Sequence, residues 1–499
     1  MVKNALQLTR RAVLAGIASG IGSAAVGAAP ERSILPAARP ADFLKQTLPT
    51  GAEIVQAAGL TGKTSYAVLD ARTGQVLETR SPLLRVPPAS VAKAITALYA
   101  LEQLGPGFRF KTRLIGTGPV RNGRLNGDLI LAGGGDPLLD TSGLAAMAAR
   151  LKDSGLREIT GKLRVATNAL PAIAQIDPDQ PPQVGYNPSI SGLNLNFNRV
   201  FFEWKRAEDG YTVTLDARSR QFRPPVSVAR IRVADRDLPV YTYANQNGID
   251  DWTVARGALG NGGGRWLPVR DPGAYAGEVF QSLARSHGID LRLGSNVSGT
   301  LNGAVLVEEV SAELRPVLRG MLSHSTNITA EVVGLVSTMQ NTRRPTDLAQ
   351  SGNAMSQWLG ESLDVQRPRF VDHSGLGGAS RVSANDIVRA LSRAGAESAL
   401  RGILKQVKIM DSQGKPIENH PMNIVAKTGT LNFVSGLAGY ARTPGGRDLA
   451  FAIFSADLDR RERLTRAERE RPEGGRAWVR RARTMQNALL ERWGVAHDA

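Results

Sequence analysis

The sequence predicts a multi-domain α/β (α+β) protein whose main domain is interrupted by one or two inserted β-rich domains. Three observations lead there. The chain has 499 residues, too many for one ordinary core. Hairpin and helical texture before residue 109 and after 268 encloses a stretch of short strands and Gly/Pro clusters. The last part reads as sheet followed by helix. Hydrophobic residues make up 42% and charged residues 21%, so the body of the chain is neither collagen-like, disordered nor membrane-spanning. The absence of cysteine excludes disulfides, thiolate metal sites and cysteine nucleophiles.

Residues 1–29 read as an export signal. Lys3, Arg10 and Arg11 precede an apolar Gly/Ala-rich run, and small residues at Gly27, Ala28 and Ala29 precede Pro30. The Arg10-Arg11 pair resembles a twin-arginine signal; a Sec signal or an uncleaved anchor fits the same pattern. The expected location is the periplasm or cell envelope. Removing this segment deletes three of 62 basic residues and none of 45 acids, leaving a net charge of +14. Such a charge suits peripheral contact with anionic envelope surfaces, and export argues against nucleic acid as a partner. The Arg-rich stretch 460–471 is interleaved with Glu462, Glu468 and Glu470, a pattern more typical of a solvated face.

After a Pro/Ala-rich lead-in, Ser65-Tyr-Ala-Val-Leu-Asp-Ala and Gln75-Val-Leu-Glu-Thr flank a turn and predict a β-hairpin. Pro87-Pro88-Ala89 opens a helix carrying Ile95, Leu98 and Leu101, and Gly105-Pro106 stops it. With 30–108 these elements form the first part of the main domain. The β-rich insertion spans 109–268, broken by a helix near 143–154. Residues 269–499 complete the main domain, with helices at 272–287, 314–339 and 384–394. Three strands follow, beginning near Asn423, Ser435 and Leu449, and a final helix carries Trp478, Ala482, Met485, Leu489 and Trp493. A hairpin and one helix cannot bury a core alone, so the two parts must pack together and the insertion should be a module with neighbouring ends.

Ser90-Val91-Ala92-Lys93 puts a hydroxyl and an amine three residues apart on one helix face. A lysine can deprotonate a serine if burial or a nearby cation lowers its pKa. A serine at a helix N-terminus also meets free N–H groups that favour a developing oxyanion. Roughly one Ser-x-x-Lys is expected by chance. The second copy, Ser412-Gln413-Gly414-Lys415, runs into Pro416 and reads as a turn, so context selects Ser90. Lys427-Thr428-Gly429-Thr430 is rarer and lies on a strand. Its cation and hydroxyls suit a free carboxylate, and Gly429 would leave room for a substrate backbone. Ser-x-Asn occurs at 325–327, 351–353 and 383–385; the last copy reads as an N-cap, and Ser325-Thr326-Asn327 precedes a helical run it could simply cap.

In this order the three elements resemble the serine, Ser-x-Asn and Lys-Thr-Gly motifs of penicillin-binding proteins and β-lactamases. Further stretches, Val86-Pro-Pro-Ala-Ser, Gly133-Gly-Gly-Asp-Pro, Leu193-Asn-Leu-Asn-Phe-Asn, Pro268-Val-Arg-Asp-Pro and Asp372-His-Ser-Gly-Leu, resemble one branch. That branch is the D-alanyl-D-alanine carboxypeptidase/endopeptidase family, the class C type-4 penicillin-binding proteins. The resemblance implies a transpeptidase-like domain, an antiparallel sheet flanked by helices, that acts on peptidoglycan stem peptides and is acylated by β-lactams. It implies that Ser90 is acylated, that Lys93 takes its proton, and that Ser325 relays a proton to the leaving D-alanine. Asn327 would bind the substrate amide, Lys427 would support the relay, and Thr428 and Thr430 would hold the terminal carboxylate. The N–H groups of Ser90 and Thr430 would form the oxyanion hole, with Asp372, Ser374 and Gly375 at the lip of the cleft. Two departures bear on substrate preference. His373 replaces a common glycine, with Gly377-Gly378-Ala379 inserted after it, and Thr326 stands where aspartate is frequent.

Gly59-Leu-Thr-Gly-Lys-Thr fails as a nucleotide loop because Ala57 stands at the first required glycine and a strand follows. The five histidines show no close ligand pair, so neither a metal nor another cofactor is expected. His373-Ser374 lacks a Gly-x-Ser-x-Gly elbow. Two other functions share the motifs: a β-lactamase or esterase, and a wall-binding or penicillin-sensing protein without turnover.

Overall fold

A computed structural model describes residues 45, 47–341, 344–365, 368–411 and 413–498. The expected export signal, residues 30–44 of the lead-in, and Ser412 lie outside the described residues.

The main sheet has six antiparallel strands in the order Lys405–Gln406, Asn423–Leu431, Val434–Arg442, Asp448–Ala456, Lys63–Asp70, Val76–Arg80. The N-terminal hairpin thus zips onto the last strand, from Lys63 opposite Ala456 to Asp70 opposite Leu449. Every residue of Asp448–Ala456 is buried, because helices cover both faces. The alternation of a strand explains how. Ala450, Ala452 and Phe454 face a core shared with helices Ala92–Leu104 and Ala384–Ala394. Leu449, Phe451 and Ile453 face the terminal helix Gly475–Ala496, whose Trp493 meets Tyr66 and Phe451 at 5.6 and 6.2 Å. At the turn end of the hairpin the buried Asp448 carboxylate accepts from Arg401 at 2.8 Å and Arg72 at 3.2 Å.

A second core is built by the intervening chain. Lys111–Gly116, Leu129–Ala132 and Leu163–Ala166 share a four-stranded sheet with Ala304–Val310, and three three-stranded sheets lie within the same stretch of sequence. Helices Thr141–Asp153 and Pro272–Ser286 pack in this core, the latter through Tyr275, Val279, Phe280 and Leu283. The boundary expected at 268/269 therefore does not separate the two cores. Chain segments up to Val310 belong with the inserted sheets, because the apolar face of Pro272–Ser286 and the register of Ala304–Val310 are both satisfied there. The natural ends are adjacent: Phe110 and Ser311 exchange hydrogen bonds of 2.9 Å. A separate apolar seam joins Leu170, Ile176 and Ile190 of the insertion to Ile328, Val332 and Leu335 of helix Asn327–Asn341.

Deleting 109–268 strips the apolar face of Pro272–Ser286, whereas deleting 111–310 behind a short linker removes the second core whole. We expect only the latter protein to retain a cooperative thermal transition by circular dichroism. The reverse ranking would place the structural boundary near 268.

Candidate active site

Ser90 sits in a single 3-10 turn, Ala89–Val91, that runs directly into helix Ala92–Leu104. Backbones crowd this turn from two sides. A Cβ at Gly429 would lie 2.8 Å from the Pro88 carbonyl oxygen, and one at Gly375 would lie 1.9 Å from the Ala89 oxygen. Gly375 also has φ +74°, so glycine is required there on both counts. The space expected beside Gly429 for substrate is taken by the Ser90 turn itself. Ala89 adopts φ +48°, uncommon for a residue with a side chain.

Lys93, one turn along, is fully buried. Its Nζ donates to Ser90 Oγ at 3.1 Å, Asn327 Oδ1 at 2.7 Å and the Ser374 carbonyl at 2.8 Å. Burial lowers its pKa to about 7, helped by the charge of Lys427, while Glu331 and Asp372 oppose the shift. Lys427 is itself buried, which lowers it to about 8 with a contribution from Lys405; its Nζ donates to the Thr428 carbonyl at 2.8 Å. Ser325 occupies a left-handed position (φ 58°) after helix Leu314–His324, and Asn327 opens the next helix. Ser90, Ser325, Asn327, Gly375 and Thr430 line one open cleft of about 1930 Å³. Thr428 is exposed one residue before Gly429.

The residues expected at the lip divide. Gly375 lines the cleft, but Asp372 and Ser374 are buried beneath it. Asp372 accepts from the Gly375 and Gly377 amides at 2.7 and 2.6 Å, which fixes the loop. Ser374 contributes its carbonyl to Lys93. Burial raises the Asp372 carboxyl to about 6.

Two participants had no place in the motif reading. Glu331, fully buried on the helix that begins at Asn327, accepts from the His373 and Ser374 amides, each at 2.9 Å. Burial, then the neighbouring Asp372, raises it to about 8. It lies four residues after Asn327, a charge set in the run Ile328-Thr-Ala-Glu-Val-Val, and that anomaly was the available signal. Tyr186 of the insertion accepts from Asn327 Nδ2 at 2.8 Å through its carbonyl, and no local pattern marks it.

His373 is a buried packing residue. Its Nε2 is 2.7 Å from Ser351 Oγ, and its ring stacks at 6.4 Å on Tyr99. Burial lowers its pKa to about 3, so it stays neutral at physiological pH. The ring fits only because residue 334 is glycine: a Cβ there would lie 2.1 Å from His373 Cγ. Ser351 accordingly lies on helix Leu348–Leu363, and Ser383 caps Ala384–Ala394 as expected. Lys415 follows a turn closed by the Gly414 amide on the Asp411 carbonyl, away from any helix.

A family model described as the D-Ala-D-Ala carboxypeptidase 3 (S13) family matches residues 52–471. The chain belongs to that family. It is 27% identical over 423 residues to a D-alanyl-D-alanine carboxypeptidase of an Actinomadura species, covering 78% of this chain and 76% of that protein. It is 25% identical over 387 residues to a D-alanyl-D-alanine carboxypeptidase of Haemophilus influenzae, covering 73% and 79%. The crystal structure of penicillin binding protein 4 from H. influenzae has the same fold, with a TM-score of 0.71 at 22% identity over 89% of this chain and 100% of that one. The mixed sheet-and-helix architecture read from the sequence is therefore that of a penicillin-recognising serine peptidase.

The fit of His373 against Gly334 gives a testable coupling. Gly334→Ala alone should destabilise the protein by about 1–3 kcal/mol through overpacking. In the Gly334→Ala/His373→Gly double variant most of that cost should vanish, measured as a cycle by urea denaturation. Additive losses would mean that the two positions do not compete for space.

Proposed function

We propose that this protein is an exported serine D-alanyl-D-alanine carboxypeptidase and/or endopeptidase of peptidoglycan stem peptides, covalently inhibited by β-lactams. One observation carries the reading: a fully buried lysine amine 3.1 Å from a cleft-lining serine hydroxyl, in a chain of this family.

Chemistry follows from the geometry. Neutral Lys93 takes the proton of Ser90 as Oγ attacks the carbonyl between the two D-alanines. The N–H groups of Ser90 and Thr430 receive the developing oxyanion. Asn327 has its Oδ1 committed to Lys93 and its Nδ2 to Tyr186, so it holds the base as well as facing the substrate amide. Ser325 passes a proton to the leaving D-alanine nitrogen, with the Lys427 charge favouring that transfer. Thr428 and Thr430 bind the terminal carboxylate. Water then hydrolyses the ester on Ser90. Glu331 and Asp372 act by positioning, since their oxygens hold the loop whose Ser374 carbonyl fixes Lys93. No helix among the described residues is long and apolar enough to cross a membrane. Export rests on residues 1–29, and the remaining charge of +14 favours the anionic envelope.

Labelled benzylpenicillin should attach to the Ser90 peptide on mass mapping; label on another serine would overturn the assignment. Acylation should accelerate as pH rises through about 7, where Lys93 loses its proton, and decline above about 8, where Lys427 loses its charge. Lys93→Ala should lower the acylation rate at least about 100-fold with the fold intact by circular dichroism. Retained acylation would identify another base.

A further inference from the structure

The cleft does not end at the nucleophile. Beyond Thr430 it continues past Leu431 and Asn432 onto one face of helix Gly475–Ala496. Arg476, Arg480 and Arg483 line this extension. Their spacing puts them on one stripe spanning roughly 10 Å of helix, while Trp478, Ala482, Met485 and Leu489 anchor the opposite face in apolar cores. Two other arginines of the region are committed, Arg461 to the Asn432 carbonyl at 3.2 Å and Arg469 to Asp179 at 3.3 Å, and Arg471 lines the cleft ahead of the helix. The three stripe arginines are exposed and carry no ion-pair or side-chain hydrogen-bond partner among the described residues. Acids in the extension do not neutralise them. Glu470 is held by Arg265 and Gln183, Asp411 by the Gln413 and Lys415 amides, and Glu491 lies two turns beyond Arg483. Like charges four residues apart weaken a helix, so this stripe opposes helix stability.

Substrate direction follows from the proposed function, on which this inference rests. If Thr428 and Thr430 hold the terminal carboxylate and Ser90 attacks one residue before it, the peptide retained on the enzyme leaves in the other direction. That direction is along the open extension, because Leu431 and Asn432 line it and Lys427 and Thr428 do not. An extended peptide advances about 3.3 Å per residue, so a few residues bring it to the stripe.

We infer that Arg476, Arg480 and Arg483 form a subsite for carboxylates of the peptide on the acyl side of the scissile bond. The enzyme thereby distinguishes acidic stem peptides from the same peptides with their carboxylates amidated. A membrane surface fits the charge less well, since the stripe lines a groove continuous with Ser90.

The test compares the full-length protein with R476Q/R480Q/R483Q on two matched pentapeptides ending in D-Ala-D-Ala. One peptide has free side-chain carboxylates; in the other they are amidated. The wild type should favour the acidic peptide about tenfold in kcat/KM, less so as KCl is raised. In the variant the two peptides should be used within about twofold of each other, while benzylpenicillin acylates Ser90 at the wild-type rate. A preference that survives the substitutions, or is absent from the wild type, would overturn the subsite. So would a variant that keeps the peptide preference and loses only its retention on phosphatidylglycerol vesicles. Failure of penicillin to label Ser90 in the wild type would overturn the proposed function instead.

Discussion

Lys93 is fully buried with three oxygens within hydrogen-bond reach, and those oxygens come from three separate parts of the chain. Ser90 is on its own helix, Asn327 is 234 residues away, and Ser374 is 281 residues away. An ammonium in such a place is costly, and a neutral amine needs acceptors for its N–H groups. Burial lowers the Lys93 pKa to about 7, so a large share of the amine is unprotonated near neutral pH, while the acceptors hold it in place. Much of the surrounding structure serves that arrangement. Glycines at 375 and 429 let two backbones close over the Ser90 turn, and the acids at 331 and 372 are spent on loop amides rather than on a salt bridge to the lysine.

The insertion takes part in the same arrangement. Its Tyr186 carbonyl engages the amide whose oxygen holds Lys93, and its Leu170, Ile176 and Ile190 pack on the helix that carries Asn327. The two cores are therefore distinct in packing but joined at the site. A chain that leaves at Phe110 and returns at Ser311 costs the main domain little at its boundary, since the ends bond directly to each other.

What could be read from sequence was local. Ser90 and Lys93 share a face by helical spacing alone, and the strand around Lys427 announces itself by alternation and composition. The hairpin, the three C-terminal strands and the helix stripe from Trp478 to Trp493 were legible for the same reason. The domain boundary was not. Helix Pro272–Ser286 has an apolar face whichever core it meets, and the partner of Ala304–Val310 lies near residue 111, far outside any sequence window. Asp372 and Ser374 could be placed near the site but not beneath it, because depth below a surface leaves no mark on a loop sequence. Glu331 was visible only as an odd charge in an apolar helix, and Tyr186 not at all.

Gly334 and His373 couple the order in which the two positions can change without strain. An imidazole at 373 occupies the volume that any side chain at 334 would need. Glycine inside a helix costs about 1 kcal/mol relative to alanine, so it is tolerated in advance of any benefit. The histidine, by contrast, meets a clash while residue 334 bears a methyl group. The order of substitution that avoids this strain is glycine first and ring second. With the ring buried against Ser351 and Tyr99, any side chain at 334 carries that overpacking cost. The loop that supports Lys93 is in this sense ratcheted: the unstrained route to its present pair of residues, and away from it, runs through glycine at 334.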